Sequence, residues 1–330
     1  MNKKKLKPYH GIIAVVLTAL FIFLVNPLLF GGMGLVGTLF GELAFLLLAL
    51  LITAAARADF KEVFPIRKPH GFTLLGMIFM WGAVFVSALA VSVMLSYFFP
   101  QEVYAAGAGL SQELMNSSLL AGIIIVSIAP AVCEEAVFRG VLLNSLSGMK
   151  RKWLVIIIVG CIFGAFHGSV WKFIPTAALG MLMTYLVLET HNMVYSALLH
   201  LVNNLVPVLL LFCLQFFLQS AGGYSEAISE ASQMQIPLAS VAVYLLMAAA
   251  APFVFYIGRY FVRRGERGYE GEIFRRDNRK ALTILIILTA VIVISGILLF
   301  LASFIVDQQY LQDIMQKSNS ISQGISIQTV

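Results

Sequence analysis

The feature that most constrains this chain is a succession of apolar stretches of about the 20-residue length that a helix needs to cross roughly 30 Å of hydrocarbon. Nine can be drawn: Gly11 to Phe30, Met33 to Ala56, Phe72 to Phe99, Leu119 to Leu143, Trp153 to Val170, Phe173 to Leu188, Val194 to Leu218, Pro237 to Ile257 and Ala281 to Ile305. Ordinary soluble domains are about half apolar and a quarter charged, whereas this sequence is 60% hydrophobic and 12% charged. The expected fold is an all-α, polytopic transmembrane helical bundle of about nine spans. Lys3, Lys4, Lys5 and Lys7 precede the first stretch as they would a signal peptide, but the apolar run is long and no small-x-small cleavage site follows, so it reads as a retained span.

Lys and Arg stay in cytoplasmic loops, and here they are lopsided. Four precede the first span, four follow the second (Arg57, Lys61, Arg67, Lys68), three follow the fourth (Lys150, Arg151, Lys152), and eight lie between Arg259 and Lys280. Arg139 is inside a span, and the opposite side keeps only Lys172 and Lys317. The N-terminus is therefore expected in the cytoplasm. The net charge of +6 is carried by juxtamembrane residues, whose natural partner is anionic lipid rather than nucleic acid. Cys133, Cys161 and Cys213 all fall in spans, where a free thiol acts as a small hydrophobe. With no internal repeat and no soluble domain, residues 1–330 read as a single integral membrane domain. Arg259 to Lys280 and Gln101 to Ser118 read as polar loops, and 306–330 as a disordered external tail.

Ionisable groups inside spans cost about 2.5 to 3.5 kcal/mol each on insertion scales, which makes each a functional candidate. They concentrate in the fourth, fifth and seventh spans, within about residues 119–218. In Glu134-Glu135-Ala136-Val137-Phe138-Arg139 the spacing i, i+4 lets Glu135 pair with Arg139, a supporting role, and leaves Glu134 free to accept a proton from water or to bind a metal. His200 and Asn204 share a helix face and can both donate to a developing oxyanion. Asn203, turned about 100° away, reads as an interhelical hydrogen-bonding residue. His167, near Gly168 and Pro175 where the apolar runs are short and a broken passage is expected, can share a water with Glu134. Together these groups suffice to add water to a carbonyl. At about 1.5 Å per residue, Glu134 and His167 lie roughly 15 to 20 Å from their cytoplasmic helix ends and His200 nearer 10 Å, so either the seventh span starts earlier or the helices are staggered.

The order Glu-Glu-x-x-x-Arg (Glu134, Glu135, Arg139), Phe-x-x-x-His (Phe163, His167) and His-x-x-x-Asn (His200, Asn204) resembles the signature of the CAAX protease and bacteriocin-processing membrane proteins. The resemblance implies an intramembrane endopeptidase acting on a membrane-associated peptide or protein near the cytoplasmic face. Glu134 and His167 would activate water, His200 and Asn204 would hold the oxyanion, and Glu135 and Arg139 would brace the site. The family is often described as metalloproteases, and Glu134, His167 and His200 are candidate ligands for zinc or another divalent metal with an open fourth position. A metal-free glutamate and histidine mechanism is the alternative. The short positive loops look like those of a bacterial cell membrane protein.

Other readings are a non-catalytic scaffold or immunity protein of the same fold, and a proton-coupled carrier in which Glu42 and Glu189 join the path. A serine mechanism would pair Ser196 with His200 at i, i+4 and leave Glu134 and His167 without work.

Overall fold

A computed structural model describes residues 4–220, 235–268, 271–274, 279–308 and 312. Its principal helices are α1 Pro8–Phe30, α2 Leu35–Ala55, α3 Gly71–Phe98, α4 Pro100–Met115, α5 Leu119–Ser145, α6 Lys152–Phe166, α7 Val170–Thr190, α8 Met193–Ser220, α9 Leu238–Glu266 and α10 Arg279–Val306. All but α4 and α6 are long and apolar enough to cross a membrane, eight among the described residues. The protein is an all-α integral membrane bundle.

The fifth expected span, α6, is the exception. Its 15 residues reach only about 22 Å at 1.5 Å each. The chain breaks over His167 to Ser169, with Gly168 at φ +64°, a left-handed backbone that costs glycine little. The break is shorter than the sequence suggests, because α7 resumes at Val170 and carries Pro175 inside it.

α6 and α7 pack through small residues. A β-carbon on Gly164 would sit 2.8 Å from that of Ala177, and one on Gly180 would sit 3.1 Å from the Cα of Gly160. Gly160 and Gly164 form the small-xxx-small spacing that lets membrane helices approach closely.

α5 is the most irregular span. A helical segment Ala129–Glu135 is flanked by two wider π-type stretches, Ile123–Ile128 and Ala136–Leu142. Pro130 accounts for the first. It lacks an N–H, and its ring crowds the carbonyl four residues back, that of Val126. A similar stretch, Phe21–Val25 in α1, precedes Asn26 and Pro27.

Two polar segments drawn as loops are helical. α4 occupies most of Gln101 to Ser118, opening with Pro100 in its first turn and anchored where Phe99 meets Trp171 at 4.7 Å. α9 extends well past Ile257, so Arg259 and Arg263 lie on it, one turn apart. Its opposite side packs so tightly on α3 that a β-carbon on Gly258 would come within 2.9 Å of the Met80 nitrogen. Arg275, Arg276 and Asp277 lie outside the described residues, as do Glu226, Glu230, Asp313 and Lys317. Of the expected tail, Asp307 is buried and its carboxylate accepts from the Leu238 and Ala239 amides at 2.9 and 3.0 Å, capping α9. Beyond Gln308, apart from Gln312, the tail lies outside the described residues.

The segments assigned to the cytoplasm converge on one face. The Lys4 amide donates to Arg57 O at 3.2 Å, and Asn144 donates to Glu62 O at 3.0 Å. Asn192 clasps the Arg67 backbone through Oδ1 at 3.1 Å and Nδ2 at 3.0 Å. The Thr73 and Tyr195 hydroxyls both donate to Glu266 Oε1, at 2.9 and 3.0 Å.

Candidate active site

The site is assembled around Glu135. Arg139 Nη1 donates to Glu135 Oε1 at 2.7 Å, and its Nη2 donates to the Gly180 carbonyl at 3.0 Å. Both side chains are almost wholly buried, at 0% and 1% exposure. The pairing expected from i, i+4 spacing is present, and the glycine that allows α7 to approach α6 also supplies the second acceptor. The guanidinium further lies over the Phe163 ring at 4.4 Å, a desolvated cation–π contact.

The same Glu135 oxygen lies 3.0 Å from His200 Nδ1. A carboxylate paired with arginine only accepts, so Nδ1 carries the proton, an assignment that follows from the hydrogen-bond network. Nε2 is thereby aimed outward and lies 3.9 Å from Glu134 Oε2, beyond direct hydrogen-bonding reach. Glu134 is the more open of the two glutamates, its side chain 17% exposed. α8 starts at Met193, one residue before the sequence-drawn boundary, so His200 meets Glu135 because the helices are staggered. Asn192 and Tyr195 fix that stagger: Tyr195 OH accepts from the His70 amide at 2.7 Å.

His167 stands at the end of α6, exposed, with Nδ1 3.1 Å from the Phe163 carbonyl. The carbonyl can only accept, so Nδ1 donates and Nε2 is an available acceptor. The Phe163 ring lies between the histidines, 5.0 Å from His167 and 5.6 Å from His200. Among the described residues no hydrogen bond or ion pair joins His167 to Glu134.

Asn204 has a structural task that the sequence reading missed. Its Nδ2 donates to Val126 O at 3.1 Å, the carbonyl that Pro130 leaves without a helical donor four residues on. A proline in mid-span facing an asparagine on another span was the available signal. Asn203 does form the expected interhelical bond, its Oδ1 accepting from Trp81 Nε1 at 3.4 Å, and its Nδ2 donates to Asn204 Oδ1 at 3.3 Å. Ser196 donates to Met193 O at 3.0 Å rather than to His200.

Among the described residues no three His, Cys, Asp or Glu side chains are grouped to hold a metal ion. Glu134 and His200 face each other, but with His167 they do not form a three-donor set. Glu189 faces Arg263 at 3.9 Å on the basic side, far along α7 from the break. Glu42, assigned by sequence only to the carrier reading, is buried against Glu134.

Residues 116–206 match the Rce1-like family, described as type II CAAX prenyl endopeptidase Rce1-like. The match runs from the start of α5 into α8, contains all three motifs, and supports the family resemblance drawn from them. No curated protein and no solved structure matches the chain.

Proposed function

We propose that this membrane protein, with its Rce1-like segment, is an intramembrane endopeptidase that hydrolyses a peptide bond of a membrane-associated peptide or protein. The observation that carries the proposal is the chain Arg139–Glu135–His200, which aims His200 Nε2 at Glu134 in the middle of a span. A structural ion pair would need no imidazole facing a second, partly open carboxyl.

In this reading Glu134 takes a proton from water as the oxygen attacks the scissile carbonyl, and returns it to the leaving nitrogen. His167, with Nε2 available, helps to orient that water. His200, held at Nδ1 by Glu135, turns Nε2 towards the oxyanion. Asn204 contributes at most the N–H not given to Val126, so it positions α8 more than it binds the oxyanion.

Purified protein should cleave quenched-fluorescent peptides with apolar or lipidated C-termini, and Glu134→Gln should abolish cleavage while the protein stays folded. A chelator arm reports on metal dependence. Equal cleavage by wild type and variant would overturn the Glu134 mechanism. No cleavage by either would favour the scaffold or carrier.

A further inference from the structure

We propose that the cytoplasmic ends of α6, α7 and α9 form a binding site for one anionic phospholipid, with Arg259 and Arg263 on its phosphate and Trp153 beside its glycerol and upper acyl chain. The site shares no residue with the Glu135 cluster, so it stands or falls apart from the endopeptidase reading.

A continuous row of side chains crosses the three helices. The Trp153 ring stacks on that of Tyr185 with centroids 6.2 Å apart and planes 14° from parallel. Tyr185 and Glu189 are spaced i, i+4 on one face of α7, and Glu189 Oε1 lies 3.9 Å from Arg263 Nε. Arg259 and Arg263 repeat the same spacing on α9. Both helices run towards the cytoplasmic face, so Arg259 falls level with Tyr185, one turn deeper than the Glu189–Arg263 pair.

This row is unbalanced in charge and in hydrogen bonds. Glu189 offsets one of the two guanidinium charges, and at 3.9 Å its oxygen is too far from Arg263 Nε to accept a hydrogen bond. The Nε atoms of Arg259 and Arg263 are both buried without an acceptor among the described residues. Glu266, close by on α9, is turned instead to the Thr73 and Tyr195 hydroxyls. A phosphodiester supplies the missing negative charge together with oxygens that a planar guanidinium fits well. A choline headgroup would bring its own cation and leave the excess positive charge in place, so the row favours an anionic lipid.

The surroundings fit a lipid rather than a soluble phosphate. Trp153 is 62% exposed in the first turn of α6, and the exposed Leu154 and Ile157 continue its apolar surface towards the membrane centre. Tryptophan is favoured at the boundary between headgroups and hydrocarbon, and arginine stems lie along apolar surface while their heads reach the headgroups. Phosphate, glycerol and acyl chain thus each meet a matching part of one short surface.

The test reads Trp153 fluorescence in full-length protein reconstituted in phosphatidylcholine vesicles that contain an equal mole fraction of either phosphatidylglycerol or phosphatidylcholine brominated high on one acyl chain. Matched proteins carrying Trp153→Phe subtract the other tryptophans. Brominated phosphatidylglycerol should quench Trp153 several-fold more effectively, and Arg259→Gln combined with Arg263→Gln should abolish that preference. Glu189→Gln, which removes the offsetting charge, should raise it about fivefold, the scale of one unit charge at a headgroup surface. Equal quenching by the two lipids in the wild type would overturn the proposal, as would a preference that survives in the double variant or fails to rise in Glu189→Gln. Lys61→Gln combined with Lys68→Gln removes the same amount of charge from the same face and should leave the preference intact. An equal loss there would reduce the effect to diffuse surface attraction and refute a site.

Discussion

Glu134 and Glu135 are adjacent in sequence, yet their substitutions should separate stability from activity. Glu135 is held by Arg139 and His200 and buried to 1% exposure, so Arg139→Leu strands a buried carboxylate and should cost about 3 to 5 kcal/mol. Glu134 has no arginine hydrogen bond to lose, since Arg139 donates to Glu135, and Glu134→Gln should alter stability by no more than about 0.5 kcal/mol while removing hydrolysis. Thermal melts in detergent alongside peptide cleavage check both, and similar melting losses in the two variants would show that the glutamates are not divided in this way. Arg139→Lys tests geometry rather than charge, since an ammonium cannot reach Glu135 and Gly180 O as a planar fork while stacking on Phe163. It should fall between wild type and Arg139→Leu in the same melts. The i, i+4 pair was legible in the sequence because helical periodicity alone places it. The Glu135–His200 bond was not, because it joins residues 65 positions apart and depends on how two helices are staggered.

At the scale of the element, helix irregularities bring the site together. Pro130 and Asn204 form a compensating pair: the proline frees the Val126 carbonyl, and the asparagine fills it at 3.1 Å. Asn204→Ala should therefore cost about 1 to 3 kcal/mol, the usual penalty for a buried acceptor left unpaired. Adding Pro130→Ala should return part of that loss by restoring an N–H in α5. A double-mutant cycle measures the coupling, and strictly additive losses would mean that Asn204 acts elsewhere. The α6–α7 contact makes a parallel demand. Gly164→Leu would drive a side chain into Ala177, already 2.8 Å from an added β-carbon, and should destabilise by about 1 to 3 kcal/mol or more while displacing the Gly180 carbonyl from Arg139. Spans were readable from length and apolarity, and the break near Gly168 from its short flanking runs. The π-type stretches and the stagger were not, because they are set by contacts between helices.

Across the whole molecule, polarity misled where charged residues sit on one side of a packed helix. Arg259 and Arg263 look like loop residues in a linear count, yet α9 carries both, with Arg263 3.9 Å from Glu189, while Gly258 and Val262 pack on α3. The segments that the sidedness rule groups together are joined in pairs, Lys4 to Arg57, Glu62 to Asn144, Arg67 to Asn192 and Tyr195 to Glu266. With α4 at the far ends of α3 and α5, the two faces have distinct chemistries that a labelling experiment can separate. Single cysteines replacing Lys61, Ser147, Gln101 or Gln112, in protein whose three native cysteines are changed to Ala, would be exposed to a membrane-impermeant maleimide applied outside intact cells. Gln101 and Gln112 positions should react directly, and Lys61 and Ser147 positions only after permeabilisation, because basic flanks are retained in the cytoplasm. The reverse pattern would invert the bundle and leave the fold intact. Different behaviour at Lys61 and Ser147 would be incompatible with the single face on which the Asn144–Glu62 bond depends.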